Sequence, residues 1–553
     1  MATKTVYGCQ RNVLYEPVPL LNNDHFGAAI SFTGDWNGDG YQDQVIGGHN
    51  DATKLLSSGL PDMSPSLSRA ALYLGGHSGM ATTPVLTFNG NGTRDQFGER
   101  VGFLSDLTGD GRDELVVTAP NWPNQSTRYG RVYVFYGRAE ETYTPGSTFV
   151  AAQCASFIIQ GDVEGQRFGD AFASSRDLNP DAASDFLIGA PGSNVTDDDG
   201  LGYSGQVYGF FGATLASLVP AGPTPPCNPP VLLYASIADQ VLCGEDQDDR
   251  FGHALAIMGN IDTDAGFEFA VGAPQVKLDS GLPRNMDGPG YVKVFDYANT
   301  CAGVIPKTLQ GEQGAPPDDK SLGEAFGFAL ASGVDIGGGA GGLPDTINDL
   351  FVGAILFDVE RGVSTPTIDA GAVHVFSGAN FSMRLLPGVD PPGPAEAEVT
   401  RLFGTKDMMF YGFSIATMAD IVGVPFAGIP DIVVGSVRDG SENSVETVCP
   451  PILGTPWPTT EQAGLLSGTV RIIDGATPDG TPHFLIFGER PRDGLGFEVA
   501  AGAYDGNGIA IVSAGLRWSD PEFEACVPLD PVLCPRETGR VYVFYADALN
   551  AIP

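Results

Sequence analysis

The chain has 553 residues, 42% hydrophobic and 17% charged, with 75 glycines and 42 prolines. Its 67 acids against 29 bases give a net charge of −38, so the basic footprint of a nucleic-acid binder is missing. No apolar stretch reaches the eighteen or so residues of a membrane helix, and residues 1–20 lack the basic end and apolar core of a signal peptide.

In chain order, the first predicted element is the short apolar segment Asn12-Val13-Leu14-Tyr15. Next, Phe26 to Phe32 (FGAAISF) alternates small and apolar residues as an inner strand does. A turn-rich acidic loop, Asp35 to Asp43, leads into a second short strand, Gln44 to Gly48. Arg69 to Leu74 (RAALYL) reads as a third strand and Val85 to Phe88 as a fourth.

This unit repeats. Phe26-Gly27, Phe97-Gly98, Phe168-Gly169, Phe251-Gly252, Phe326-Gly327, Tyr411-Gly412 and Leu495-Gly496 recur at spacings of roughly 70 to 85 residues and fill the chain. Units start near 24, 95, 166, 249, 324, 409 and 494. The third strand returns as GRVYVFYG at Gly130–Gly137, GQVYGFFG at Gly205–Gly212, GYVKVFD at Gly290–Asp296, GAVHVFSG at Gly371–Gly378, GTVRIIDG at Gly468–Gly475 and GRVYVFYA at Gly539–Ala546. Alternating Val, Tyr and Phe suit strands packed on both faces. The expected fold is therefore all-β: a seven-bladed β-propeller, one domain over 1–553, built from four-stranded antiparallel meanders. The last unit stops after its third strand, so residues 11–18 are expected to supply its outermost strand and remove an open edge.

The early acidic loops suit a cation. Asp35, Asn37, Asp39 and Asp43 sit at positions 1, 3, 5 and 9 of D-x-N-x-D-G-x-x-D, with Tyr41 offering a carbonyl at position 7 and Gly40 allowing the sharp turn. The second loop offers Asp106, Thr108, Asp110, Arg112 (carbonyl) and Glu114; the third, Asp177, Asn179, Asp181, Ala183 (carbonyl) and Asp185. The fourth offers Asn260, Asp262, Asp264, Gly266 (carbonyl) and Glu268, and the fifth Asp335, Asp345 and Asp349 around a glycine-rich insertion. The sixth keeps only Asp420 and Asp431, and the seventh has lost its closing acid. Six to eight converging oxygens are what Ca2+ takes, so three to five Ca2+ ions are expected, each pinning a hairpin. Ordinary Asp/Asn/Gly turns are the alternative.

The eight cysteines (Cys9, Cys154, Cys227, Cys243, Cys301, Cys449, Cys526 and Cys534) form no CxxC pair, which fits disulfides in an oxidising compartment. Local spacing favours Cys526–Cys534 and Cys227–Cys243.

Phe-Gly, then D-x-N-x-D-G-x-x-D, then Gly-Ala-Pro, resembles the FG-GAP repeat. Asp113–Pro120 (DELVVTAP), Asp185–Pro191 (DFLIGAP) and Phe267–Pro274 (FEFAVGAP) carry it. The chain thus resembles the propeller at the head of integrin alpha subunits. That resemblance implies calcium loops between strands one and two on a lower face. It also implies an upper, ligand-meeting face formed by 48–69, 119–131, 190–206, 273–291, 354–372, 436–469 and 514–540. Trp122, Trp457 and Trp518 fall there and are candidate ligand contacts, because exposed tryptophan stacks on sugars or anchors protein hot spots. Unlike those subunits, the chain ends after the propeller, and nothing in it supports a beta-subunit partner.

The six histidines are dispersed, and neither H-E-x-x-H nor G-x-S-x-G occurs. His25 and His253 are expected at blade junctions and His374 in the core. The leading expectation is a secreted, calcium-stabilised recognition module that binds an extracellular protein or glycan. It would be extracellular, at the cell surface or periplasmic, without membrane insertion. A carbohydrate-active enzyme of lyase or dehydratase type on the same scaffold, with its site in the central depression or an upper cleft, is one alternative, and a component of a surface layer or filament is another.

Overall fold

The computed structural model describes residues 3–7, 13–15, 25–49, 68–91, 95–124, 126–175, 177–181, 183–193, 204–219, 227–245, 249–261, 266–275, 288–297, 301, 307–311, 323–336, 346–358, 369–378, 398–406, 409–418, 420, 429–439, 467–476, 478, 480–488, 494–503, 509–515 and 540–545. Their strands form all-β antiparallel blades, each ordered from an inner first strand to an outer fourth. Blade 1 comprises Ala29–Gly34, Asp43–Gly48, Arg69–Tyr73 and Leu86–Asn89, and blade 2 Val101–Leu104, Glu114–Ala119, Arg131–Phe135 and Phe157–Gln160. Blade 3 comprises Ala171–Ser175, Asp185–Ala190, Gln206–Phe210 and Gln240–Cys243, and blade 4 Ala254–Gly259, Glu268–Ala273, Tyr291–Phe295 and Lys307–Gln310. Blade 5 comprises Phe326–Ala331, Leu350–Ala354, Ala372–Phe376 and Glu398–Phe403, and blade 6 Tyr411–Met418, Asp431–Ser436, Thr469–Ile473 and Phe484–Phe487.

Six blades are thus complete within one stretch of chain, which corrects the expected count of seven. The remaining sheet is assembled from both chain ends, because the last repeat stops after three strands. Leu495–Ala503, Ile509–Gly515 and Arg540–Tyr545 are joined by Val13–Tyr15, which pairs antiparallel with the last strand at Val13↔Val543 and Tyr15↔Val541. The inner strands neighbour one another in chain order, and Leu495–Ala503 returns to lie beside Ala29–Gly34, so the ring closes. Three sheets carry an unforeseen fifth strand, each parallel to an outer one: Ser147–Val150 on blade 1, Val231–Tyr234 on blade 2 and Lys4–Tyr7 on blade 6. These strands cover edges that would otherwise present unpaired backbone groups.

The Phe-Gly pairs build the seams between blades. Gly27, Gly98, Gly169, Gly252, Gly327, Gly412 and Gly496 all have φ between +85 and +100, a region that side-chain-bearing residues avoid. In four of the first blades the Phe-Gly amide donates within its own blade to the second strand, as Gly27 does to Gly47 O and Gly252 to Gly272 O. Its carbonyl abuts the Gly-Ala glycine of the preceding blade. A Cβ on Gly47 would lie 2.1 Å from Gly98 O, one on Gly189 2.0 Å from Gly252 O, and one on Gly353 2.3 Å from Gly412 O. Phe26, Phe97, Phe168, Phe251 and Phe326 are at most 1% exposed. Four of them meet a ring of the third strand: Phe97 on Tyr133, Phe168 on Tyr208, Phe251 on Tyr291 and Phe326 on His374. His374 is core, as expected, with Nδ1 2.9 Å from Glu398 Oε1.

The core lies between faces of successive sheets. Val116, Val132 and Val134 of blade 2 pack on Phe186, Ile188 and Phe210 of blade 3, and Leu187 and Val207 on Phe269, Val271 and Phe295 of blade 4. The expected Cys227–Cys243 pair does not form. Cys154 bonds Cys227, and Cys243 bonds Cys301, across separations of 73 and 58 residues. The parallel pairing of Phe157–Gln160 with Val231–Tyr234 brings Cys227 to Cys154, so short sequence spacing was the wrong guide. Cys526 and Cys534 lie outside the described residues.

Gly189→Ala places a methyl on the seam and is expected to destabilise by ~1–3 kcal/mol through overpacking. Gly76→Ala, with nothing within 4 Å of the added Cβ, is expected to be neutral or slightly stabilising. Urea unfolding of both variants checks this; equal midpoints would refute the seam account.

Candidate functional site: rim loops and central channel

The acidic loops join first and second strands, and one residue organises each. The closing acid opens the second strand and is fully buried: Asp43, Glu114, Asp185, Glu268, Asp349 and Asp431 are all 0% exposed. Its carboxylate accepts an amide from the near end of the loop: Trp36 N to Asp43 Oδ2 at 2.8 Å, Leu107 N to Glu114 Oε2 at 2.7 Å, Leu178 N to Asp185 Oδ2 at 2.7 Å, Ile261 N to Glu268 Oε2 at 2.7 Å and Ile336 N to Asp349 Oδ2 at 2.9 Å. In three blades the other oxygen accepts from the residue just beyond the third strand: Gly75, Gly212 and Gly378. The closing acid therefore ties loop, second strand and third strand together.

Position 1 curls the loop. Asp35 accepts from the amides of Gly38, Asp39 and Gly40, Asp106 from Asp110 and Gly111, and Asp177 from Asp181. Position 7 contributes its amide to position 5: Tyr41 to Asp39, Arg112 to Asp110 and Ala183 to Asp181. Neighbouring loops are linked, since Asp113 accepts from the amides of both Asp35 and Asp106, and its own amide donates to Asp35 O.

In the third loop, carboxylate oxygens of Asp177, Asp181 and Asp185 lie within 4.8 Å of one another. Asn179 Oδ1, Thr108 Oγ1 and Glu114 Oε1 are buried without a hydrogen-bond partner among the described residues. Burial, then nearby Asp39 and Asp35, pushes the Asp43 carboxyl up to about 8. Burial, then Asp106, Asp113 and Asp110, pushes Glu114 up to about 8, and burial with Asp181 pushes Asp185 up to about 6. Crowded carboxylates and orphaned oxygens fit a divalent cation, which would relieve both. In the second loop Arg112 already lies on Asp110, at 3.1 Å. Asn37 donates to Asp39 Oδ2 and Glu140 Oε1. Asn260 and Gly266 are described in the fourth loop, whereas Asp262 and Asp264 lie outside the described residues, as does Asp345 of the fifth. Asp335 Oδ2 there accepts from Thr346 N.

Trp122 is half-buried, with the Arg131 guanidinium 3.3 Å from its ring centre and core residues behind it. Trp457 and Trp518 lie outside the described residues.

Sequence reasoning offered the central depression as a site for the carbohydrate-active alternative but named none of the residues that line it. A cavity of about 750 Å3 is lined by the inner strands of all the sheets. The residue after the Phe-Gly-like pair lines it in five sheets: Glu99, His253, Phe328, Phe413 and Phe497. His253 packs against Phe328 of the next blade, at the junction where it was expected, and also lines this cavity. The signal was present in the sequence as the residue immediately following these repeat markers.

The FG-GAP repeat family matches residues 97–135. Integrin alpha-7 of Rattus norvegicus is 30% identical over 198 residues, covering 36% of this chain and 14% of that protein. Integrin alpha-PS2 of Drosophila melanogaster is 32% identical over 210 residues, 36% of this chain and 12% of that protein. This chain is an FG-GAP, integrin-alpha-like β-propeller. Phosphatidylinositol-glycan-specific phospholipase D of Bos taurus also matches the propeller, at 34% identity over 115 residues, 21% of this chain and 13% of that protein. The FG-GAP propeller thus spans only a small part of each relative's length. Among its described residues no helix is long and apolar enough to cross a membrane.

The raised carboxyls set a pH dependence. A carboxyl whose folded pKa lies above its unfolded value binds its proton more tightly in the folded state, so its stabilisation holds at low pH and is lost as pH rises. With chelator present, the thermal midpoint is expected to fall between about pH 4 and pH 8, the interval spanned by Asp43 and Glu114. Asp43→Asn should flatten that slope; a slope unchanged in the variant would contradict the assignment.

Proposed function

We propose that this propeller is a secreted recognition module that binds an extracellular protein or glycan through the connections of its upper face, on a scaffold stabilised by Ca2+. The observation that carries the reading is the integrin-alpha similarity of a closed propeller whose repeat markers all fall on blade seams. The two disulfides support an oxidising, extracellular setting.

Asp35, Asn37, Asp39 and Asp43 would hold one ion, Asp106, Thr108, Asp110 and Glu114 a second, and Asp177, Asn179, Asp181 and Asp185 a third. Asn260, Asp262, Asp264 and Glu268, then Asp335, Asp345 and Asp349, would hold two more. Carbonyls of Tyr41, Arg112, Ala183 and Gly266 would complete the shells. The ions supply positive charge that lets crowded carboxylates ionise while the hairpins stay closed. The loops lie on the rim opposite the ligand-meeting face, so the metal's part is structural.

Calorimetric titration of the chelated protein with Ca2+ is expected to show three to five sites. Each site adds ~2.7 kcal/mol of stability at a hundredfold excess over its dissociation constant. Asp185→Asn should remove one of them. Function is tested by screening immobilised extracellular proteins and glycans with the full chain, in Ca2+ and in chelator. Retention of a partner in Ca2+ supports the reading, and a folded, Ca2+-loaded protein that retains nothing at micromolar concentration defeats it.

A further inference from the structure

The mouth of the central channel has two unlike halves. From blade 4 to the composite sheet it is aromatic: His253, Phe328, Phe413 and Phe497 meet in succession at ring-centroid separations of 5.0, 5.0 and 5.1 Å. On the composite sheet and blade 2 it is polar, with Glu498, Glu99 and Arg100. Phe328 and Phe413 pack at one edge on a small apolar cluster around Ala325 and Ile355, while Phe328, Phe413 and Phe497 all line the channel.

The charges narrow the ligand. Glu99 is held by His49, whose Nδ1 lies 3.1 Å from Glu99 Oε2. That acid is not left to neutralise an incoming cation. Arg100 and Glu498 differ. Each lies in the other's field, yet no hydrogen bond joins them, and the Glu498 side chain makes none among the described residues. Burial pushes Glu498 up to about 7 despite Arg100, and holds His253 down to about 4, so near neutral pH both present donors as well as acceptors. His253 Nδ1 is buried without a hydrogen-bond partner. A site with balanced donors and acceptors facing an apolar wall does not match a single charged side chain. It matches a pyranose, whose C–H face stacks on aromatic rings and whose hydroxyls each donate and accept.

We propose that the channel mouth is a saccharide pocket, in which a sugar ring lies against Phe328, Phe413 and Phe497 while its hydroxyls bridge Arg100 to Glu498 and reach His253. The cavity of about 750 Å3 falls within the range of small-ligand sites and holds more than one sugar ring. This pocket is distinct from the outer connections invoked for recognition, so either reading can fail without the other.

The full chain is applied to a glycan array, and the best-retained oligosaccharide is titrated into wild type and variants by calorimetry. Phe413→Ala and Arg100→Gln are each expected to weaken binding at least about tenfold. Gly76→Ala, far from the channel, should bind as wild type. Circular dichroism confirms the fold of each variant, and Phe413→Leu and Glu498→Gln replace any that fails to fold. The proposal is overturned if the array retains no glycan, or if retained binding is unchanged in every folded channel variant. Protein binding that persists without any sugar binding overturns this pocket and leaves the recognition reading intact.

Discussion

The contact between two glycines, found at five of the seven seams, is the constraint on which the rest of this structure depends. A Phe-Gly carbonyl sits where a side chain of the preceding blade's Gly-Ala strand would begin, as Gly252 O does against Gly189. The backbones can approach this closely only because neither residue has a Cβ. The adjoining phenylalanine fills the space below the contact and stacks on the third strand. Sequence marker, seam geometry and core packing are thus one feature. Two sheets show how far the rule bends: Thr118 of blade 2, beside Gly169, and Ala514 of the composite sheet stand where the other blades have glycine.

From that seam follow both faces of the molecule. Fixing the start of the inner strand places the next residue on the channel in five sheets, whatever its type. The same register sends the other end of the strand into an acidic hairpin, where the closing acid begins the second strand and is buried. Burying a carboxylate among other carboxylates is costly unless something positive accompanies it. The amides that Asp43, Asp185 and Asp349 accept meet part of that cost, and the cation proposed for the rim would meet more. The rim and the channel are therefore built by one repeat and remain chemically separate.

Much of this was legible in the chain. The Phe-Gly spacing revealed the repeat, strand periodicity revealed the blades, and the short final repeat pointed to the N-terminal strand that pairs with Arg540–Tyr545. The first three acidic loops were readable because their ligand pattern is local. Tertiary contacts were not. Cys227 found Cys154 rather than Cys243 because the segment after it pairs as a fifth strand with Phe157–Gln160, a long-range contact that spacing does not reveal. The fifth strands of blades 1, 2 and 6 escaped notice because a four-residue stretch such as Ser147–Val150 has no periodicity of its own. Trp122, a candidate ligand contact by sequence, is half-buried with Arg131 over its ring, a contact no local pattern foretells.

The sequence alone determined the all-β repeat, the glycines required at the seams and the oxygen-rich hairpins, because each depends on residues close together in the chain. Only the tertiary structure decided that Glu498 would face Arg100 and that three phenylalanines would line one side of a channel. Those residues lie one or more repeats apart, and it is ring closure that brings them to a common axis.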